Sequence, residues 1–191
     1  RVIQEKERHN VILANPPFGG KEKSEVQQNF PVKSGATEIL FMQHFMKMLK
    51  LDGKAAIVVP EGVLFQRNNA FKLVKKELLE NFNVHTILSL PTGIFLPYSP
   101  VKTNVVYFDR KGATSDIWYY ELLPPYKLTK NKPIQYGHFK EFLNFKEKRT
   151  ETNNSWLVNV EDIKDYDISA KNPNAAQEEE LLPPKEISVS Y

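Results

Sequence analysis

The sequence predicts an α/β fold with a mostly parallel sheet and an antiparallel last strand. Three observations lead there. Apolar runs of strand length alternate with two longer segments in which apolar residues recur at helical spacing. Three of those runs stop at a proline within two residues, which ends a ladder rather than extending it. The third and fourth runs are joined by a proline-bounded loop without a helical segment, and a strand that returns without a crossover helix pairs antiparallel.

Val11-Ile12-Leu13-Ala14 is the first strand, stopped by Asn15-Pro16-Pro17. Residues 19–35 are polar, with Gly19-Gly20 and Ser34-Gly35 at their ends, and read as a long loop. A helix is expected over 37–50. Leu40, Phe41, Phe45, Met48 and Leu49 form its apolar side, Gln43, Lys47 and Lys50 its polar side, and Gly53 follows as a stop signal. The second strand covers 55–59 and ends at Pro60-Glu61-Gly62. A second helix spans 69–82, capped by Asn68 or Asn69. Phe71, Val74, Leu78 and Phe82 form its apolar stripe, and Lys72, Lys75 and Lys76 its solvated side. Strands three and four cover 84–90 and 104–108. This strand–helix order is that of crossover connections in a parallel sheet.

The second half is less regular. It reads as a strand over 117–121, a surface loop over 124–132 and short helices over 136–145 and 160–164. The expected boundaries are 1–112 for the main unit, 113–170 for an extension and 171–191 for a tail or linker. Pro173, Glu178-Glu179-Glu180 and Pro183-Pro184 mark the last.

The chain has 191 residues, 41% hydrophobic and 26% charged, which excludes collagen, coiled-coil and wholly disordered chains. No apolar run approaches the ~20 residues a spanning helix needs. No apolar signal core follows Arg1. The absence of Cys excludes disulfides, cysteine zinc sites and cysteine nucleophiles, and fits a reducing, cytoplasmic setting. The net charge of +3, from 26 basic and 23 acidic residues, is too small to indicate nucleic-acid binding. His9, His44, His85 and His138 show no metal-ligand spacing, so no metal is assigned.

The segment that bears on chemistry is Asn15-Pro16-Pro17-Phe18, placed after a buried strand, where open α/β sheets bind their ligands. Alone, it is equally an ordinary strand-ending turn. The prolines stiffen it and remove two amide donors. The Asn15 amide oxygen and the Pro16 carbonyl are acceptors that can take both hydrogens of a planar –NH2 group. The Phe18 ring can stack on the ring that carries it. Such an amine is a poor nucleophile because its lone pair is delocalised. Two acceptors favour a pyramidal nitrogen and stabilise the positive charge growing there, like an oxyanion hole of reversed polarity. A base inside a duplex would first be flipped out, at a cost of roughly a few kcal/mol.

Further segments occur in order: Gly19-Gly20, Gln28-Asn29-Phe30-Pro31, Val58-Val59-Pro60-Glu61-Gly62-Val63-Leu64-Phe65, Leu90-Pro91-Thr92-Gly93-Ile94-Phe95, Val101-Lys102-Thr103-Asn104 and Asn154-Ser155-Trp156. With the tetrapeptide they resemble the modification subunit of type I restriction–modification systems, over about residues 10–173. The resemblance implies the carboxyl-terminal part of a Rossmann-like, S-adenosylmethionine-dependent methyltransferase sheet. It also implies methyl transfer from S-adenosylmethionine to adenine N6 in DNA, with Asn15, Pro16, Pro17 and Phe18 as catalytic residues. The implied partners are DNA, a specificity subunit, a restriction subunit and a second modification subunit, with no membrane.

The same resemblance places the loop with Phe95 and Tyr98 at the target-base pocket, one of them facing the base opposite Phe18. A hydrophobic plug is the alternative, and the preferred one. Lys102 would touch a DNA phosphate or stand solvated. For Glu61, a structural hydrogen bond is preferred over a place in the site. Residues 19–33 form a lid ordered by DNA or a mobile surface loop. Trp118, Tyr119 and Tyr120 fill a core or an inter-subunit surface.

One departure stands out. The family's acidic-Pro-x-x-Gly-x-Gly segment, which holds the methyl donor, does not occur in these residues. The chain is therefore expected to be the later part of a catalytic domain, inactive alone, with an exposed sheet edge and a tendency to self-associate. Two other readings stay open: methyl transfer to protein glutamine or to RNA, and a non-catalytic assembly module in which residues 117–191 dock a partner subunit.

Overall fold

The computed structural model describes residues 3–175. Six strands, β1 (His9–Ala14), β2 (Leu49–Pro60), β3 (Asn83–Ser89), β4 (Thr103–Asp109), β5 (Asp116–Glu121) and β6 (Ser155–Asn159), form one sheet in the order β1-β2-β4-β3-β5-β6. β1 is parallel to β2, and β3 to β5. β4 is inserted between β2 and β3 and runs against both, while β6 runs against β5. Four of the six strands thus point one way. The missing crossover before β4 has its expected consequence, an antiparallel strand.

Helices α1 (Ser24–Gln27), α2 (Thr37–Met48), α3 (Glu61–Phe65), α4 (Asn69–Asn81) and α5 (Lys140–Phe145) complete the fold. α2 and α4 cover one face, where Ile39, Met42, Val74 and Leu78 pack on Ile12, Ile57, Ile87 and Val106. Asn68 caps α4, its Oδ1 accepting from the Phe71 N–H at 3.2 Å. On the other face α5 sets Phe142 against Leu88, Trp118 and Tyr120. The Trp118 and Phe142 rings stack at 5.9 Å and 14°. Residues 113–170 therefore add two strands and a helix to the same sheet, and Trp118, Tyr119 and Tyr120 are all core. The expected tail from 171 lies mostly outside the described residues.

The second face is covered unevenly. Over β1 and β2, Val11 is 62% and Leu13 79% exposed, and among the described residues the outer edge of β1 has no partner strand. No helix among the described residues is long and apolar enough to cross a membrane.

Several local expectations change. α2 ends at Met48 and β2 starts at once at Leu49, so Gly53 lies in a strand rather than ending a helix. Of the expected stripe Leu40 and Leu49 are buried, but Ile39, Met42, Gln43 and Met46 take the inside in place of Phe41, Phe45 and Met48. The segment is apolar on most sides, so spacing alone does not choose the buried one. Gln43, expected in solvent, decides it: its amide accepts from the Val32 N–H at 3.0 Å and donates to the Val32 carbonyl at 2.9 Å. Loop 19–35 holds the short α1, and the expected 160–164 helix is only a 3-10 turn at Val160–Asp162. β6 was not foreseen. Its five residues follow Asn153-Asn154, and Trp156, stacked on Tyr119 at 5.6 Å, and the partly buried Val158 anchor it on the helical face.

Lys75 also corrects an expectation. It is 2% exposed rather than on the wet face of α4. Its Nζ donates to the carbonyls of Leu64 at 2.7 Å and Gln66 at 2.9 Å, closing the end of α3. Burial pushes its pKa down to about 8, with Asp167 opposing and Arg67 and Lys72 adding to the shift. Below about pH 8 the amine is charged in both folded and unfolded chains, and the burial penalty is fully present. Between about 8 and 10.5 the folded amine is neutral while the unfolded one keeps its proton, so this residue's contribution to stability rises with pH. A neutral amine still has two hydrogens for the two carbonyls. The stability difference between wild type and Lys75→Met is expected to move in favour of the wild type from pH 7 to pH 10. Denaturant unfolding at each pH checks this, and a flat difference would contradict it.

Candidate active site

β1 ends where its neighbour continues. Ala14 pairs with Ile57 in the last rung between β1 and β2, and β2 runs on to Pro60. Pro16 and Pro17 cannot donate to a further rung, so the chain turns out over the carboxyl end of the sheet. Pro16 is buried, which pins the turn, while Asn15 is exposed. Neither the Asn15 amide nor the Pro16 carbonyl is engaged with another group among the described residues.

The far end of the turn is fastened to the start of α2. The Gly20 carbonyl accepts from the Thr37 N–H at 3.2 Å, and the Glu38 carboxylate accepts from the Gly19 N–H. Gly19 has φ +72°, and a Cβ on Gly20 would collide with the Thr37 hydroxyl. The two glycines are thus needed for a positive φ and for a close approach. Glu38 was not foreseen as part of this site. Its signal was a carboxylate in the first turn of a helix, where it suits the dipole as readily as a loop.

Phe18 is half-buried and meets Phe95 edge-to-face, with centroids 5.6 Å apart and planes at 71°. Two parallel rings sandwiching a purine would stand about 7 Å apart, two van der Waals gaps. Phe95 in this arrangement is a side wall next to Phe18, not a parallel lid. It lies on the loop 91–102 between β3 and β4. Its carbonyl accepts from the N–H groups of Tyr98 at 2.8 Å and Ser99 at 3.1 Å, which makes one tight turn. Tyr98, on the other side of that turn, is 93% exposed. The structure therefore brings Phe95 to the tetrapeptide and leaves Tyr98 at the rim.

Lys102 ends the same loop. Its Nζ lies 3.1 Å from the Glu61 carboxylate, and its carbonyl accepts from the Glu61 N–H at 2.9 Å. Glu61 thus makes a structural contact, the reading preferred from the sequence.

Two unspent oxygen acceptors and an aromatic face therefore stand together on a stiff turn held at both ends. None of the four residues titrates. Such an arrangement can hold and polarise an amine without trading protons with it.

The family model for N-6 DNA methylase matches residues 2–181. The methylase subunit of the type I restriction enzyme EcoEI from Escherichia coli is 36% identical over 183 residues, covering 87% of this chain and 37% of that protein. The modification subunit of a putative type I restriction enzyme from Vibrio vulnificus YJ016 superposes with a TM-score of 0.87 at 41% identity, over 91% of this chain and 40% of that one. The M protein of type I restriction enzyme EcoKI gives a TM-score of 0.63 at 32% identity, over 72% of this chain and 30% of that one. The chain spans well under half the length of each of these relatives. With the Asn-Pro-Pro-Phe turn in place at the end of β1 and the family match running across all described residues, the chain belongs to the N-6 DNA methylase family.

Proposed function

We propose that the intact protein containing this chain methylates adenine at N6 in DNA, as the modification subunit of a type I restriction–modification system. The observation that carries the reading is the exposed, unspent Asn15 amide beside the Pro16 carbonyl and the Phe18 ring, on a turn fastened to both β1 and α2. Asn15 and Pro16 accept the two amine hydrogens of a flipped adenine. Phe18 stacks on the purine, Phe95 walls one side of it, and Pro17 holds the bend. Tyr98 and Lys102 stand at the rim on the DNA side.

S-adenosylmethionine supplies an electrophilic methyl group. The acidic-Pro-x-x-Gly-x-Gly segment that the resemblance assigns to that donor is not among these 191 residues. They provide the amine side of the reaction. DNA, a specificity subunit, a restriction subunit and a second modification subunit are the proposed partners. The proposed setting is the cytoplasm. A chain 46% identical to this one, with a TM-score of 0.84, comes from a study of complex assembly in the type I R-M system, which supports assembly with other subunits.

The test is transfer of a labelled methyl group by the intact protein to DNA, to RNA and to glutamine peptides, with the modified atom identified. Label on adenine N6 of DNA is the expected result. Label only on RNA or on glutamine would overturn the DNA assignment while keeping the amine chemistry.

A further inference from the structure

We infer that Glu61 is a positioning residue: paired with Lys102, it fixes the foot of the loop 91–102 and so holds Phe95 against Phe18. Its catalytic consequence rests on the function proposed above, while its geometry does not.

β2 and β4 pair antiparallel up to Pro60 and Thr103. One residue further on, the Glu61 N–H to Lys102 carbonyl bond at 2.9 Å adds a rung beyond the strands. The Nζ–carboxylate contact at 3.1 Å ties the same two residues again through their side chains. On the other flank the Leu90 N–H donates to the Thr103 carbonyl at 3.0 Å. The loop is thereby pinned to β2 on one side and to β3 on the other.

Inside the loop Ile94 packs against the Leu88–Trp118 cluster, while the part beyond Phe95 has little packing to hold it. Leu96, Tyr98 and Val101 are 39%, 93% and 41% exposed. Its ring contact with the tetrapeptide is the edge of Phe95 on Phe18. The loop takes its position from Ile94 at one end and from its foot at the other, and the side-chain link is the removable part of that foot.

Charge argues the same way. A Lys102 that left Glu61 for a DNA phosphate would leave the Glu61 carboxylate, 41% exposed, facing a polyanion. Keeping the pair intact avoids that repulsion. Because both side chains are partly solvated, the link is weak, and its loss is expected to loosen the loop rather than unfold it.

The test compares Glu61→Gln, Lys102→Met and the exchanged pair Glu61→Lys/Lys102→Glu in the intact protein. Amide hydrogen exchange of residues 91–102 is read without DNA; kcat and the KM for DNA are read with it. Each single change is expected to speed exchange in the loop and to lower kcat about two- to fivefold, with KM little changed. The exchanged pair is expected to restore both. The inference is overturned if the exchanged pair restores neither and Lys102→Met instead raises the KM for DNA with a salt slope shallower by about one unit, the mark of one lost phosphate contact. If the loop loosens and recovers as expected while even the wild type transfers no methyl group to DNA, the clamp stands and the proposed function falls.

Discussion

Asn15→Ala in the intact protein is expected to lower methyl transfer by about 10²- to 10³-fold or more, the loss seen when one preorganised polar group is taken from a transition state. The fold should not notice. Asn15 is exposed and has no partner among the described residues, so its removal costs within about 0.5 kcal/mol of stability. The loss belongs to the transition state because the bonds to the two oxygens strengthen as charge grows on the amine nitrogen. The KM for DNA should therefore change little while kcat falls. Initial rates with saturating donor, together with thermal unfolding of the same preparation, check both parts. A variant with wild-type rates would show that the pair of acceptors is not the catalytic device.

Trp118→Ala is expected to destabilise the protein by about 3–5 kcal/mol, the range for an aromatic deleted from a packed core. Trp118 is fully buried, stacks on Phe142 and leans on Tyr120 at 5.6 Å. Its indole N–H donates to the Thr150 carbonyl at 3.1 Å, which ties the segment before β6 to β5. Removing the ring opens a cavity beneath α5 and loosens that segment together. Since whole domains hold only about 5–15 kcal/mol, such a variant should be largely insoluble or unfolded at 37 °C. Trp118→Phe keeps most of the stacking and loses the hydrogen bond, at about 1–2 kcal/mol. Denaturant midpoints separate the two. A loss under about 1 kcal/mol for the alanine variant would mean that α5 is not packed on the sheet as described.

What could be read from the sequence, and what could not, follows from the physics of each signal. The strands β1, β3, β4, β5 and the second half of β2 were legible because each is a short apolar run with a breaker near its end, while the first half of β2, with Lys50, Asp52, Gly53 and Lys54, carries no such signal. The antiparallel β4 was legible from the missing helix before it. β4's insertion between β2 and β3 was not, since nothing local tells a strand which gap it enters. The buried phase of α2 was hidden because Phe41, Phe45 and Met48 compete with Ile39, Met42 and Met46 for the inside. Gln43 and Lys75 look like solvated residues in any window. Each finds, nine or eleven residues back in the chain, backbone carbonyls that accept its hydrogens inside the protein.

The tetrapeptide itself was legible, because Asn-Pro-Pro-Phe after a strand leaves the chain few other shapes. Its supports were not. Glu38 and the Glu61–Lys102 pair act across 19 and 41 residues of sequence, and only the fold brings them together.

The most direct measurement is the structure of the intact protein with a target duplex and a donor analogue. The account predicts the target adenine outside the helix and stacked on Phe18, its N6 within about 3 Å of both Asn15 Oδ1 and the Pro16 carbonyl oxygen. An adenine amine held by other groups, with the Asn15 amide turned away from it, would contradict the account.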